Sequence, residues 1–170
     1  YITSVALGEH DSPPRWVPRD LCAKLEGRRL KGLHGSDTRQ IRFPEILQRL
    51  LPRTRLASRE QADWINNYFF DKAATALVEP CRVFHVVSSV GLYSARKARG
   101  FGARLVCDVR QEHPFFQRRI LEEEAARFGL AVSVPSSSYE DKVLEEFSLA
   151  DYIITPSQHA RRTFLSQGVP

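Results

Sequence analysis

Arg82-Val83-Phe84-His85-Val86-Val87-Ser88-Ser89-Val90-Gly91 is the stretch that decides the fold. Six residues, apolar at nearly every position, run into a small-residue turn that opens a helix. The helix is expected to end near Gly100 and Gly102. Arg104-Leu105-Val106-Cys107-Asp108-Val109 then repeats the apolar run. A strand with one solvated face alternates apolar and polar residues. These runs do not alternate, as expected of parallel strands covered on both faces.

The alternation of elements continues downstream. A helix is predicted over 115–128, stopped by Gly129, and 130–134 is a candidate short strand. Ser137 with Glu140 three residues on reads as a capping box for a helix reaching Leu149. Tyr152-Ile153-Ile154-Thr155 is the next buried strand, and Ser157 caps a last helix closed by Gly168. Strands alternating with helices from residue 82 predict an α/β fold, a right-handed, doubly wound parallel sheet of Rossmann-like type.

Upstream the pattern weakens. A helix is predicted over 58–78 with Ser58 as its cap and Ala62, Ile65, Phe69, Ala73, Ala76 and Leu77 at helical spacing. Gln40-Ile41-Arg42-Phe43 reads as a short strand, and Pro44 opens a helix carrying Ile46, Leu47, Leu50 and Leu51. Residues 8–38, rich in Gly, Pro, Asp and Arg, read as a long exposed loop with a short helix at 20–25. The chain has 170 residues, 42% of them hydrophobic, which fits one domain with a real core. It has no methionine, begins on what reads as a strand already under way and ends on a helix stop, so it reads as truncated at both ends.

The net charge is +5, and it is unevenly placed. Residues 1–59 hold 12 Lys/Arg against 6 Asp/Glu, and the remainder 13 against 14. A solvated Arg-rich surface accounts for this. An anionic membrane surface is the alternative partner, through Arg49, Arg53, Arg55 and Arg59. No nucleic acid is expected, because no recognition element is present. Cys22, Cys81 and Cys107 show no metal spacing, and Cys107 reads as a small core residue, which suggests a reducing, cytoplasmic setting. No apolar run approaches the length of a membrane span.

In open parallel sheets, ligands bind beyond the carboxyl ends of the strands. That rule selects 88–91, 108–113, 155–157 and the residues after Ala6. Ser88, Ser89 and Gly91 stand where backbone N–H groups at a helix start hold an anion or a sugar oxygen, or else merely cap the helix. His113 follows the second strand on the ligand side. There an imidazole donates a hydrogen bond to a sugar hydroxyl, or caps a loop. Asp108, Arg110 and Glu112 flank it as substrate-binding candidates, with an Asp108–Arg110 pair as the structural alternative. His85 reads as a core histidine, and Glu122, Glu123 and Glu124 as a solvated helix face.

The segment Leu144-Glu-Glu-Phe-Ser-Leu-Ala-Asp-Tyr-Ile-Ile-Thr-Pro-Ser157, continuing through Phe164-Leu165 to Gly168-Val169-Pro170, resembles the close of the N-terminal domain in family 4 (group 1) glycosyltransferases of the GT-B fold. His113, Gln117 and Leu121-Glu-Glu-Glu124 are similar to a pattern in one branch of that family. The resemblance spans roughly residues 39–170. It implies the acceptor-side half of a retaining glycosyltransferase that moves a sugar from a nucleotide-diphosphate sugar to a hydroxyl acceptor, either a sugar or a lipid-linked one. His113 would be catalytic, and no cofactor or catalytic metal would be needed. A C-terminal donor-binding domain, absent from this chain, would supply the rest of the site, so the fragment alone is expected to be inactive. The alternatives are a non-catalytic nucleotide-binding α/β domain and a GT-B-type sugar epimerase.

Overall fold

The computed structural model describes residues 2–3, 9–12, 22–23, 26–29, 31–41, 59–131 and 137–169. The chain divides into two compact units, Tyr1–Val78 and Glu79–Pro170. Ser58, the 46–51 helix, Phe43 and most of the 130–134 strand fall outside the described residues.

In the first unit, β1 (Ile2–Thr3) pairs in parallel with β2 (Arg39–Gln40), and the Ile41 N–H extends the ladder to the Thr3 carbonyl at 2.9 Å. Side chains tie the described parts of the intervening loop together. The Arg29 guanidinium donates to the carbonyls of Glu9 and Asp11 at 2.7 and 2.8 Å and pairs with Glu26 at 2.6 Å. Glu9 in turn accepts from the Gly32 N–H at 2.8 Å, where the backbone has a φ of +76° that glycine tolerates best. A 3-10 turn at Gly35–Asp37 leads into β2.

Helix α1 (Arg59–Leu77) contains no Gly or Pro, and its buried positions include Ala62, Asp71 and Ala74, with Val78 just beyond its end. The expected stripe is therefore rotated: Phe69, Ala73, Ala76 and Leu77 are exposed. Apolar and aromatic residues occur all around this helix, so periodicity alone does not select the packed face.

The second unit is built on β3 (Val83–Val87), β4 (Arg104–Asp108) and β5 (Tyr152–Ile154), all parallel, in the order β3-β4-β5. Val86 stands opposite Cys107, and Cys107 opposite Ile153. The crossovers are α2 (Leu92–Gly100) between β3 and β4, then α3 (Pro114–Phe128) and α4 (Ser137–Leu149) between β4 and β5. Helix α5 (Gln158–Leu165) follows. Helices α2 and α4 touch each other as well as β4, so they cover the same face of the sheet. Parallel strands added in chain order through crossovers of one hand place their helices in this way.

Leu105 and Cys107 point into that covered face at 1% exposure. Cys107, Val109, Val143, Phe147 and Phe164 form the core, with Leu144, Ile153 and Val169 against it. Burying a side chain of leucine size contributes about 1.5–3 kcal/mol. On the opposite face Val83, Tyr152 and Ile154 are 59%, 63% and 49% exposed. His85 lies on this open face rather than in the core, because its register partners Val106 and Tyr152 share its side of the pleat.

The ends of the elements follow local chemistry. His113 and Pro114 open α3, and Gly129 closes it at φ 64°. The Ser157 hydroxyl accepts from the Ala160 N–H at 3.1 Å, and Gly168 turns the chain at φ 78°. The Glu140 carboxylate, read as part of a capping box with Ser137, pairs with Arg118 of α3 at 2.6 Å; the Ser137 side chain lies outside the described residues. At the amino end of β5, Asp151 accepts from the Leu105 N–H at 2.7 Å and pairs with Arg99 at 3.0 Å. Those contacts, the backbone bond first, hold its carboxyl below the usual range. Among the described residues, no helix is long and apolar enough to cross a membrane.

Candidate functional site

The carboxyl ends of the three strands form a rim, and the loops selected from the sequence at 88–91, 108–113 and 155–157 lie along it. The β3–α2 turn is held first by the Ser88 N–H, which donates to the Asp108 carbonyl at 3.0 Å. Ser89 follows at φ 76°, a left-handed conformation that costs a non-glycine residue about 1–2 kcal/mol. Gly91 then enters α2 against Val86. A Cβ on Gly91 would lie 1.8 Å from Val86 Cγ2, so only glycine fits without a shift.

This geometry turns two N–H groups toward one point, and a carboxylate of the protein occupies it. Glu146 of α4, 3% exposed, accepts from Ser89 N–H at 2.5 Å and from Gly91 N–H at 3.0 Å. Lys142, one turn earlier on α4, donates to the Ser89 carbonyl at 3.1 Å. The N–H groups of the turn thus hold a carboxylate that comes from within the chain. Nothing in the sequence singled out Glu146. It sits in an acidic helix and meets its partners 57 and 55 positions away.

Below the turn lies Cys107. Burial, reinforced by the charges of Glu146 and Asp108, pushes its thiol up to about 12. It is a core residue rather than a nucleophile.

His113 stands at the rim as the N-cap of α3, at 2% exposure. Its Nδ1 accepts from the Phe115 N–H at 3.3 Å, and its backbone N–H donates to Thr163 Oγ1 at 2.9 Å. Thr163 passes the link on to the Ala160 carbonyl at 2.7 Å. Phe115, Phe147 and Phe164 surround the imidazole, with ring centroids 5.3, 6.1 and 5.2 Å away. Burial holds its pKa below the usual histidine value. An accepting Nδ1 places the proton of the neutral ring on Nε2, so any chemistry open to His113 is donation from Nε2.

The flanking candidates are less engaged. The Asp108 carboxylate is 3.7 Å from His85 Nε2 on the open face of the sheet, not beside Arg110. Arg110 is exposed and Glu112 half-buried, and neither has a hydrogen bond or ion pair among the described residues. Ser88, Ser89, Gly91 and Asp108 are thus gathered at one end of β3 and β4, while His113 belongs to a separate cluster with Thr163 and Phe164. Glu123 and Glu124 are exposed and pair along α3 with Arg119 and Arg127. Among the described residues, no group of three His, Cys, Asp or Glu side chains is arranged to hold a metal ion.

Compared with known protein families, with curated proteins and with solved structures, the chain matches none.

Proposed function

We propose that the chain is the acceptor-side part of a GT-B glycosyltransferase, with its parallel sheet belonging to a doubly wound, Rossmann-like domain. One observation carries the reading: the stretch from Leu144 to Val169. It folds as a helix end, an Asp151-anchored strand, a Ser157-capped helix and a left-handed Gly168, in the order that the sequence resemblance expects. The rim beyond β3 and β4 would border the acceptor. The Nε2–H of His113 would donate to an acceptor or leaving-group oxygen, with Arg110 and Glu112 available to acceptor hydroxyls. A nucleotide-diphosphate sugar would be held by a second domain, where the departing diphosphate is stabilised. Catalysis would rest on positioning and on electrostatics rather than on a bound metal.

The test is a donor screen on the full-length gene product with a panel of nucleotide-diphosphate sugars, reading release of the nucleotide diphosphate. Turnover of one donor, raised by an alcohol acceptor, is the expected result. Failure to bind or turn over any donor would overturn the reading.

A second reading, a non-catalytic α/β binding module, is favoured by a specific observation. The N–H groups of Ser89 and Gly91 are already engaged by Glu146, and His113 is buried as a helix cap. A rim satisfied internally suits a scaffold. Binding of a nucleotide or sugar without turnover would select it.

A further inference from the structure

Beside the rim, the first turns of α3 and the outer side of α5 enclose an open groove of about 640 Å³, within the range of small-molecule sites. Its lining is one-signed. Arg119 and Arg162 stand on it with His159, and no Asp or Glu lines it among the described residues. The Arg162 guanidinium has no hydrogen bond or ion pair among the described residues. Among the described residues, the ion pair of Arg119 is with Glu123, at 3.8 Å with both side chains about three-fifths exposed. An exposed pair of that kind is worth at most about 1 kcal/mol and leaves the guanidinium able to turn to a ligand.

The second feature is aromatic. Phe115 lines the groove at 46% exposure. Phe116 contacts two polar groups: the Arg119 guanidinium is 5.3 Å from its ring centroid, and the His159 ring packs T-shaped against it with centroids 5.7 Å apart. Guanidinium forks beside one exposed and one half-buried phenyl ring suit a ligand with a phosphate at one end and a flat sugar or base at the other. Ser166 and Gln167 add hydrogen-bonding groups at the α5 end. The walls are also braced. The His113–Thr163 bond and the His113–Phe164 ring contact join the start of α3 to α5, so the groove needs little ordering when a ligand enters.

We propose that this groove binds a small phosphorylated ligand, its phosphate on Arg119 and Arg162 and its ring against Phe115 and Phe116. The site is independent of the rim chemistry above and holds whether or not the protein transfers sugars.

The experiment is amide chemical-shift titration of the chain with inorganic phosphate, glucose 1-phosphate and adenosine monophosphate. Glucose and adenosine serve as unphosphorylated controls. The expected result is saturable shifts at Phe116, Arg162 and Gln167, with an organic phosphate binding at least about tenfold more tightly than inorganic phosphate. Arg162→Gln should weaken the phosphorylated ligands about tenfold or more and leave the thermal midpoint unchanged, because the guanidinium makes no hydrogen bond or ion pair among the described residues. Three results would overturn the proposal. One is no saturable shift with any phosphate at millimolar concentration. Another is an Arg119→Gln/Arg162→Gln double variant that binds like the parent. The third is equal affinity for inorganic and organic phosphates, which would remove the role given to the phenyl rings.

Discussion

Replacing Glu146 tests whether the β3–α2 turn is an occupied anion site. The carboxylate is 3% exposed and satisfies two backbone donors, Ser89 N–H at 2.5 Å and Gly91 N–H at 3.0 Å. Glu146→Ala leaves both donors without an acceptor. At about 1–3 kcal/mol for each stranded group, the loss should be about 2–6 kcal/mol. That is a large part of the roughly 5–15 kcal/mol available to a domain. Glu146→Gln keeps one oxygen but turns an NH2 toward the other N–H, so about 1–3 kcal/mol should be lost. Urea unfolding followed by circular dichroism measures both values. Acetate or formate should then raise the midpoint of Glu146→Ala but not that of the parent, because an added anion binds only the vacated site. An alanine variant within about 0.5 kcal/mol of the parent, a spread typical of inconsequential surface changes, would refute the reasoning. So would an alanine variant that acetate and formate stabilise no more than the parent.

Two further outcomes follow from the rim. Burial lowers the His113 pKa, so the unfolded chain takes up a proton at a pH where the folded chain does not. Stability should therefore be full above about pH 6.5 and fall below it, by at most about 1.4 kcal/mol per pH unit, until the folded imidazole itself titrates. His113→Asn keeps a capping side chain and should remove that slope in a pH series of thermal or urea midpoints; an unchanged slope would assign it to another group. Gly91→Ala should cost about 1–3 kcal/mol through its clash with Val86 Cγ2. Val86→Ala opens the space, so the double variant should be more stable than the sum of the single changes predicts; simple additivity would show that the clash is relieved elsewhere.

The parts of the fold legible in the sequence are those set by local chemistry. The apolar runs at 83–87, 104–108 and 152–154 pair in parallel as expected, and Gly129, Ser157 and Gly168 end or begin helices where expected. What the sequence conceals depends on distant partners. Runs apolar on both faces imply two covers, yet among the described residues one face is packed while Val83, Tyr152 and Ile154 remain open. Glu140 has the spacing of a capping box, and its carboxylate also takes a bidentate ion pair from Arg118 on the neighbouring helix, 22 positions away, which spacing alone does not show. His113 was identifiable as a loop residue at the rim. Its burial was not, because the ring that covers it, Phe164, lies 51 positions later in the chain and meets it only after α5 folds back.

The rim and the groove differ in the capacity they keep for a ligand. At the rim the turn N–H groups, the His113 Nδ1 and the Thr163 hydroxyl each already hold an internal partner. A ligand that took any of them would first have to break a satisfied, partly buried bond, and would gain only the difference between the two. Arg162, Arg110 and Glu112 have no such partner among the described residues, and Phe115 keeps nearly half its surface in water. For those side chains a new contact is almost all gain. The satisfied network therefore acts as the stiff frame, and the surface it holds in place, the α3–α5 groove with the 110–112 loop, is where free energy remains for recognising something outside the chain.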